Sequence, residues 1–346
     1  MEVPHPQSHY PATLISGDGV GPEIVDAVLE VLDAVRAPFS WDRQVAGMAA
    51  MQAHRDPLPP VTLDSIRHTR LALKGPLTTP VGGGYRSANV ALRQTFDLYA
   101  NVRPSRTLIP GGRYESIDLV LVRENTEGFY VGFEHFVPIG GDPHAVAIGA
   151  GVNTRAGSRR IAEFAFNYAL RNGRRKITIV HKANILKALT GVFLETVREV
   201  GKAYEDRIEI EDRIVDACAM QLVLNPGQFD LILTTNMFGD ILSDEIAGLV
   251  GGLGMAPGAN IGREAAIFEA VHGSAPDIAG KGIANPVALL LAACMMLDHI
   301  DHHSSARRIR VAVGKVLGED KVWTRDLGGV AATKDITRAI VARLRD

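Results

Sequence analysis

Short apolar runs with strand character alternate with longer stretches of helical apolar spacing along most of this chain, and that alternation constrains its fold more than any other feature. Ala12 to Ile15, Ile117 to Val122, Lys176 to His181 and Asp230 to Thr234 read as strands. Pro22 to Ala34, Ser158 to Leu170, Ile185 to Val200 and Ile241 to Leu249 read as helices. An α/β protein follows. With typical domains of ~150 residues, 346 residues imply two domains or one two-lobed unit. Between Gly128 and Arg155 the helical signal stops, and Phe, Tyr, Val and Ile alternate with Gly, Pro and His, as in an arm of antiparallel strands. Gly-rich stretches at Gly82 to Gly84 and Gly248 to Gly262 are the natural hinge or crossing regions between lobes.

Charge excludes several partner classes. Lys plus Arg total 37 against 39 Asp plus Glu, so a formal charge of -2 gives no global field for nucleic acid or an anionic membrane. The longest uninterrupted apolar run, Val287 to Leu297, has 11 residues, short of the ~20 that cross a bilayer. The opening Met1 to Pro6 lacks a basic segment followed by an apolar one. Cys218 and Cys294 are far apart in apolar surroundings, which fits buried hydrophobes in a reducing compartment. A cytoplasmic protein is expected, with no nucleic-acid or membrane partner.

Two motifs come close to familiar ones and fail. Gly17-Asp18-Gly19-Val20-Gly21-Pro22-Glu23 lies between a strand and a helix, but only one residue precedes its third glycine where a dinucleotide fingerprint needs two. It is either a strand-to-helix turn requiring positive φ or a wall of a cofactor cleft. Gly280-Lys281-Gly282 continues into Ile283, so the hydroxyl a P-loop needs is absent.

The chemistry-bearing residues fall into sets. Asp240 and Asp244 are four apart, which stacks two carboxylates on one helical face, where either a cation compensates them or solvent does. Asp216, where Ile214-Val215 gives way to a helical stretch, is either an N-cap or a third oxygen ligand. Three such donors suit Mg2+ or Mn2+. Arg93, Arg103 and Arg123, with Ser87 and Asn89 upstream, imply a small polyanionic substrate, because guanidinium forks hold carboxylates in a bidentate way. Tyr130 and Lys182 are candidate proton-transfer groups.

Taken together, Lys74 to Pro80, Arg86 to Gln94, Asp97 to Pro104, Val122 to Tyr130, His181 to Ile185 and the Asp240/Asp244 helix resemble the β-decarboxylating dehydrogenases, isocitrate dehydrogenases most closely, from Gly17 to about Gly329. The resemblance implies a two-domain isocitrate/isopropylmalate dehydrogenase-like α/β fold, not a Rossmann fold. It puts 1–99 and 252–346 in a large cofactor-binding domain and 100–251 in a small one, with a β clasp arm near 128–157 at the dimer interface. It implies a homodimer with shared active sites. Asp240, Asp244 and the other protomer's Asp216 would hold Mg2+ or Mn2+, and Ser87, Asn89, Arg93, Arg103 and Arg123 the substrate. Tyr130 and Lys182 would move protons, the lysine also crossing from the partner.

For the cofactor, the resemblance implies that a loop containing His272, Gly273, Ser274, Ala275, Asp277 and Ile278 wraps the adenosine half of the dinucleotide. Asn285 would reach adenine, Glu269 and Asn184 would lie near the nicotinamide, and Thr79 joins the set. NADP-using bacterial members carry Lys and Tyr where Asp277 and Ile278 stand, and their phosphate-contacting arginines are matched here by Asn225 and Gly329. A carboxylate repels a 2'-phosphate and accepts from ribose hydroxyls, so NAD is expected. The expected reaction is oxidative decarboxylation of isocitrate. Homoisocitrate is the alternative substrate, then isopropylmalate or tartrate, and a non-catalytic regulatory subunit is the non-enzyme alternative.

Overall fold

The computed structural model describes residues 9–79 and 87–345, so the Gly82 to Gly84 hinge expected from sequence lies outside the described residues. The chain divides into two compact units. Unit 1 comprises Met1–Asp97, Thr107–Glu115 and Val250–Asp346, and unit 2 comprises Leu98–Arg106 and Ser116–Leu249.

In chain order, unit 1 begins with β1 (Tyr10–Ile15), α1 (Gly21–Ala34), β2 (Phe39–Gln44), α2 (Met48–His54), α3 (Pro60–Thr69), β3 (Leu71–Lys74) and α4 (Ala88–Thr95). Unit 2 carries β4 (Ala100–Arg106), β5 (Asp118–Glu124), β6 (Gly128–Ile139), β7 (Asp142–Val152), α5 (Arg155–Arg171), β8 (Lys176–His181), α6 (Gly191–Gly201), β9 (Glu209–Ile214), α7 (Val215–Leu224), β10 (Leu231–Thr234) and α8 (Asn236–Leu249). Unit 1 closes with β11 (Pro257–Ile261), β12 (Ala266–Ala270), α9 (Val287–His299), α10 (His303–Gly318) and α11 (Thr333–Arg343).

Within unit 1 the strands run in the order β2-β1-β3-β12-β11, parallel except for the antiparallel β11–β12 pair. The apolar run from Val287 to Leu297 forms α9, whose Val287, Leu289, Ala293, Cys294 and Met296 are fully buried beside β11 and β12. Apolar residues all round its circumference make it a core helix. Among the described residues no helix is long and apolar enough to cross a membrane.

Within unit 2 the order is β4-β5-β10-β8-β9, with only β4 antiparallel to its neighbour. β6 and β7 form the separate antiparallel hairpin expected from the change of pattern after Gly128. Its Phe133, Phe136, Ile139 and Ile148 are exposed.

Three boundaries differ from the sequence reading. α6 starts at Gly191 rather than Ile185, because 183–190 form turns in which Ile185 N and Leu186 N both bond to Lys182 O. α7 starts at Val215, so Asp216 is its second residue and not an N-cap. α8 starts at Asn236, five residues before the apolar spacing becomes evident. The glycine-rich stretch after Gly248 includes a strand, β11.

Candidate active site

In unit 2, Asn236, Asp240 and Asp244 fall at i, i+4 and i+8 of α8 and so share one face. The two acids are compensated by cations rather than by solvent alone. Arg123, at the end of β5 and fully buried, donates Nη1 to Asp240 Oδ1. Its Nε and Nη2 both donate to Asn236 Oδ1, at 3.0 and 2.7 Å. Asn236, itself fully buried, completes the frame by donating Nδ2 to Glu127 O at 2.9 Å. Arg103, on the neighbouring strand β4, donates to Ser243 Oγ, lies 3.2 Å from Asp244 Oδ1 and 3.5 Å from Asp240 Oδ1, and is oriented by Asn101 Oδ1 at 2.7 Å. Tyr130 OH donates to Asp240 Oδ2 at 2.5 Å, with the Arg123 guanidinium 5.2 Å from its ring centre.

Burial pushes the Asp244 carboxyl up. Arg103 and Arg123 pull it down and Asp240 pushes it further up, and the net is a raised value. Lys182 and Asp216 form a second group in unit 2, Nζ to Oδ1 at 2.5 Å, and that bond holds the Asp216 carboxyl below its ordinary range. Lys182 follows β8 and is set by backbone bonds. Its N–H reaches Thr190 Oγ1 at 3.2 Å, and the next N–H, of Ala183, reaches His181 Nδ1 at 3.0 Å. An accepting Nδ1 leaves Nε2–H to face Asp212 Oδ2 at 3.1 Å. Asn184 is exposed on the same turn.

Oxygen-only donors at Asp240 and Asp244 fit a hard divalent ion. Among the described residues of one chain, however, no three His, Cys, Asp or Glu side chains are placed to hold a metal.

Unit 1 holds the rest of the expected set. Ser87 precedes α4 without capping it by its hydroxyl, which accepts from Thr79 Oγ1 at 3.1 Å. Asn89 and Arg93 lie one helical turn apart on α4, and the Asn89 amide oxygen is buried without a hydrogen-bond partner. Arg93 lies 4.0 Å from Glu269 Oε1, so the structure puts it with Glu269, while Arg103 and Arg123 serve the α8 acids.

Glu269 on β12 pairs with the buried Lys74 at 2.7 Å and accepts from Asn260 Nδ2 at 2.6 Å. Burial alone would raise its carboxyl, but the Lys74 and Arg93 charges and the two hydrogen bonds hold it at about 2. In the 272–285 loop, burial lowers the His272 pKa, and its Nδ1 lies 2.9 Å from Gly273 O. Ser274 Oγ meets Thr78 Oγ1 at 2.7 Å, Ala275 takes a left-handed φ of 40°, and Asp277 is exposed. Asn285 donates to Asp326 Oδ2 at 2.9 Å and caps Val287 N at 3.0 Å.

Lys74, Asn236, Ser243 and Asn260 were not among the residues singled out from sequence. Only Asn236 carried a signal, its spacing of four from Asp240.

The family model for isocitrate/isopropylmalate dehydrogenase matches residues 12–340. The chain belongs to that family. As a member it is an enzyme, an oxidoreductase with the family's α/β fold. The crystal structure of isocitrate dehydrogenase from Methylococcus capsulatus is 54% identical, with a TM-score of 0.94 over 97% of this chain and 100% of that one. From Drosophila melanogaster, the probable mitochondrial alpha subunit of NAD isocitrate dehydrogenase is 45% identical over 96% of this chain and 87% of its own. From Dictyostelium discoideum, a mitochondrial regulatory subunit of NAD isocitrate dehydrogenase is 46% identical over 96% of this chain and 92% of its own.

Proposed function

We propose that this chain oxidises and decarboxylates isocitrate to 2-oxoglutarate and CO2, with NAD as acceptor and Mg2+ or Mn2+ as activator. The observation that carries the reading is the α8 face, where two arginines and a tyrosine converge on Asp240, and one of those arginines also reaches Asp244 one turn on. Asp240 and Asp244 would hold the ion with Asp216 of a second copy. A bound divalent ion would polarise the C2 hydroxyl and its adjacent carboxylate, lowering the hydroxyl pKa. NAD, held by the 272–285 loop, would supply the hydride acceptor for C2.

Lys182 of that second copy, through Asp216 or a water, would remove the hydroxyl proton as the hydride leaves, giving oxalosuccinate. Arg103 and Arg123 offer their forks to the substrate carboxylates once these compete with Asp240 and Asp244. After CO2 departs, Tyr130 delivers its phenolic proton to C3 of the enol. Ser87, Asn89 and Arg93 would receive the third carboxylate, with the serine hydroxyl, the Asn89 side-chain N–H and the Arg93 guanidinium as donors. An isopropyl group there would leave donors unpaired at ~1–3 kcal/mol each, whereas homoisocitrate adds one methylene, also worth ~1–3 kcal/mol.

NAD over NADP is supported at two places. Asp277 is exposed on the dinucleotide loop, and a Cβ at Gly329 would lie 2.0 Å from Trp323 O, leaving no room for an arginine there. A homodimer is supported by the exposed Met220 and Leu224 of α7, Ile241 of α8 and the arm's Phe133 and Phe136, apolar surface of the kind a second copy covers.

The Dictyostelium relative favours a second reading, a regulatory role within a hetero-oligomer. Retention of Tyr130, Lys182, Asp216, Asp240 and Asp244 favours catalysis. The fly and slime-mould relatives are named as mitochondrial, and the two buried free cysteines of this chain fit a reducing compartment. Steady-state turnover of isocitrate, homoisocitrate and isopropylmalate, each with NAD and NADP, tests the assignment. Isocitrate with NAD should give the highest kcat/KM, and a preference for either other acid would overturn the substrate.

A further inference from the structure

The Gly17 to Glu23 turn, which fails as a dinucleotide fingerprint, has no part in the chemistry above, yet it touches the loops of unit 1 that carry the cofactor residues. Asp18 is buried. Its carboxylate accepts from Met48 N at 2.9 Å, Ala49 N at 3.3 Å and Thr78 N at 2.8 Å, while Asp18 N donates to Pro76 O at 2.7 Å. Val20 N donates to Ser274 O at 2.9 Å. Glu23 Oε1 accepts from Ala284 N at 2.9 Å and Thr333 Oγ1 at 3.1 Å, and its Oε2 accepts from Gly282 N at 3.2 Å.

Thr333 closes the same clamp, its N–H on Gly282 O at 2.9 Å and its one hydroxyl proton shared between Glu23 Oε1 and the nearer Ala284 O at 2.7 Å. The glycines permit this closeness. Gly17 and Gly19 have φ of 78° and 60°, and a Cβ at them would lie 2.3 Å from Pro76 O and 1.9 Å from Ser274 O. The Thr78–Ser274 hydroxyl pair then joins two of the loops the turn has gathered.

We propose that this turn is a positioning device for the cofactor. Asp18 and Glu23 are positioning residues that fix the Thr78–Thr79 segment and the 272–285 loop for the dinucleotide without touching it. This rests on the reading of 272–285 as the dinucleotide loop.

The test is steady-state kinetics of the purified full chain with isocitrate, Mn2+ and NAD, comparing Glu23→Gln, Thr333→Val and Asp277→Lys. Gln keeps one acceptor oxygen and turns an amide N–H toward a backbone N–H, so one of the Gly282 and Ala284 bonds is lost. Glu23→Gln should raise KM for NAD about tenfold while kcat and KM for isocitrate stay within about twofold. Thr333→Val, which keeps the carboxylate and supplies a second variant should Glu23→Gln fold poorly, should move KM for NAD in the same direction, about threefold.

If Asp277→Lys raises KM for NAD while the other two leave it unchanged, the positioning role is overturned and the dinucleotide loop stands. If Asp277→Lys has no effect, the loop assignment fails and the positioning role fails with it. A parallel rise of both Michaelis constants in Glu23→Gln and Thr333→Val would mean general loosening and would also overturn it.

Discussion

Replacing Glu269 with Gln removes the negative member of an ion pair whose two side chains are 3% and 10% exposed, leaving Lys74 buried beside a neutral amide. Two independent routes give the cost. The Glu269 carboxyl is held at about 2 against an ordinary 4.5, a shift corresponding to about 3 kcal/mol of stability at neutral pH. Breaking a buried pair by deleting one partner costs ~3–5 kcal/mol.

Both tryptophans, Trp41 and Trp323, lie in unit 1 with the pair, so tryptophan fluorescence during denaturant unfolding reports the relevant unit. Glu269→Gln should lose about 3 kcal/mol at pH 7. Lys74→Met combined with Glu269→Gln should recover most of that loss, because the buried ammonium leaves with its partner and only the less buried Arg93 remains nearby. The pH dependence has a definite sign. A depressed carboxyl contributes fully above its unfolded value of 4.5 and loses that contribution as pH falls toward about 2, so the deficit of the variant should shrink across that window. A single-variant cost under about 1 kcal/mol, or a double variant as unstable as the sum of the singles, would refute the coupling.

Other outcomes follow from the α8 face and the proposed role of the 272–285 loop. Gly239→Ala would put a Cβ 2.6 Å from Arg123 Cγ. The displaced guanidinium should lower kcat/KM by about 10- to 100-fold with an unchanged circular dichroism spectrum, and wild-type kinetics would contradict the frame around Arg123. Tyr130→Phe should impair decarboxylation and product release more than hydride transfer. Equal losses in oxalosuccinate reduction and isocitrate turnover would count against its role as proton donor. Asp277→Lys with Ile278→Tyr should move the NAD/NADP ratio of kcat/KM toward NADP, and an unmoved ratio would contradict the reading of Asp277.

The fold was largely legible because its signals are local. The strand/helix alternation and the change to strand-only patterning after Gly128 each depend on a few neighbouring residues, and the structure has both, with the starts of α6, α7 and α8 displaced. The α8 face was half legible. Asp240 and Asp244 declared their shared face by spacing, but the apolar pattern that marks the helix begins at Ile241, so Asn236 stayed outside the helix and its place in the same row went unseen. Which cations compensate the acids could not be read at all, since Arg103 and Arg123 arrive from adjacent strands β4 and β5 more than a hundred residues earlier. The same holds for Lys74 and Glu269, brought together only by the β3–β12 pairing. The turns at 185–190 carry a false helical signal, because Ile185, Leu186 and Leu189 mimic its apolar spacing.

The most direct test of the central claim is turnover by the purified chain alone with isocitrate and NAD, followed as NADH absorbance and 2-oxoglutarate release, before and after chelation. Activity should be abolished by EDTA and restored by Mn2+ or Mg2+. Full turnover in EDTA would contradict an ion held by Asp240 and Asp244, and no turnover with both ions supplied would contradict catalysis by this chain.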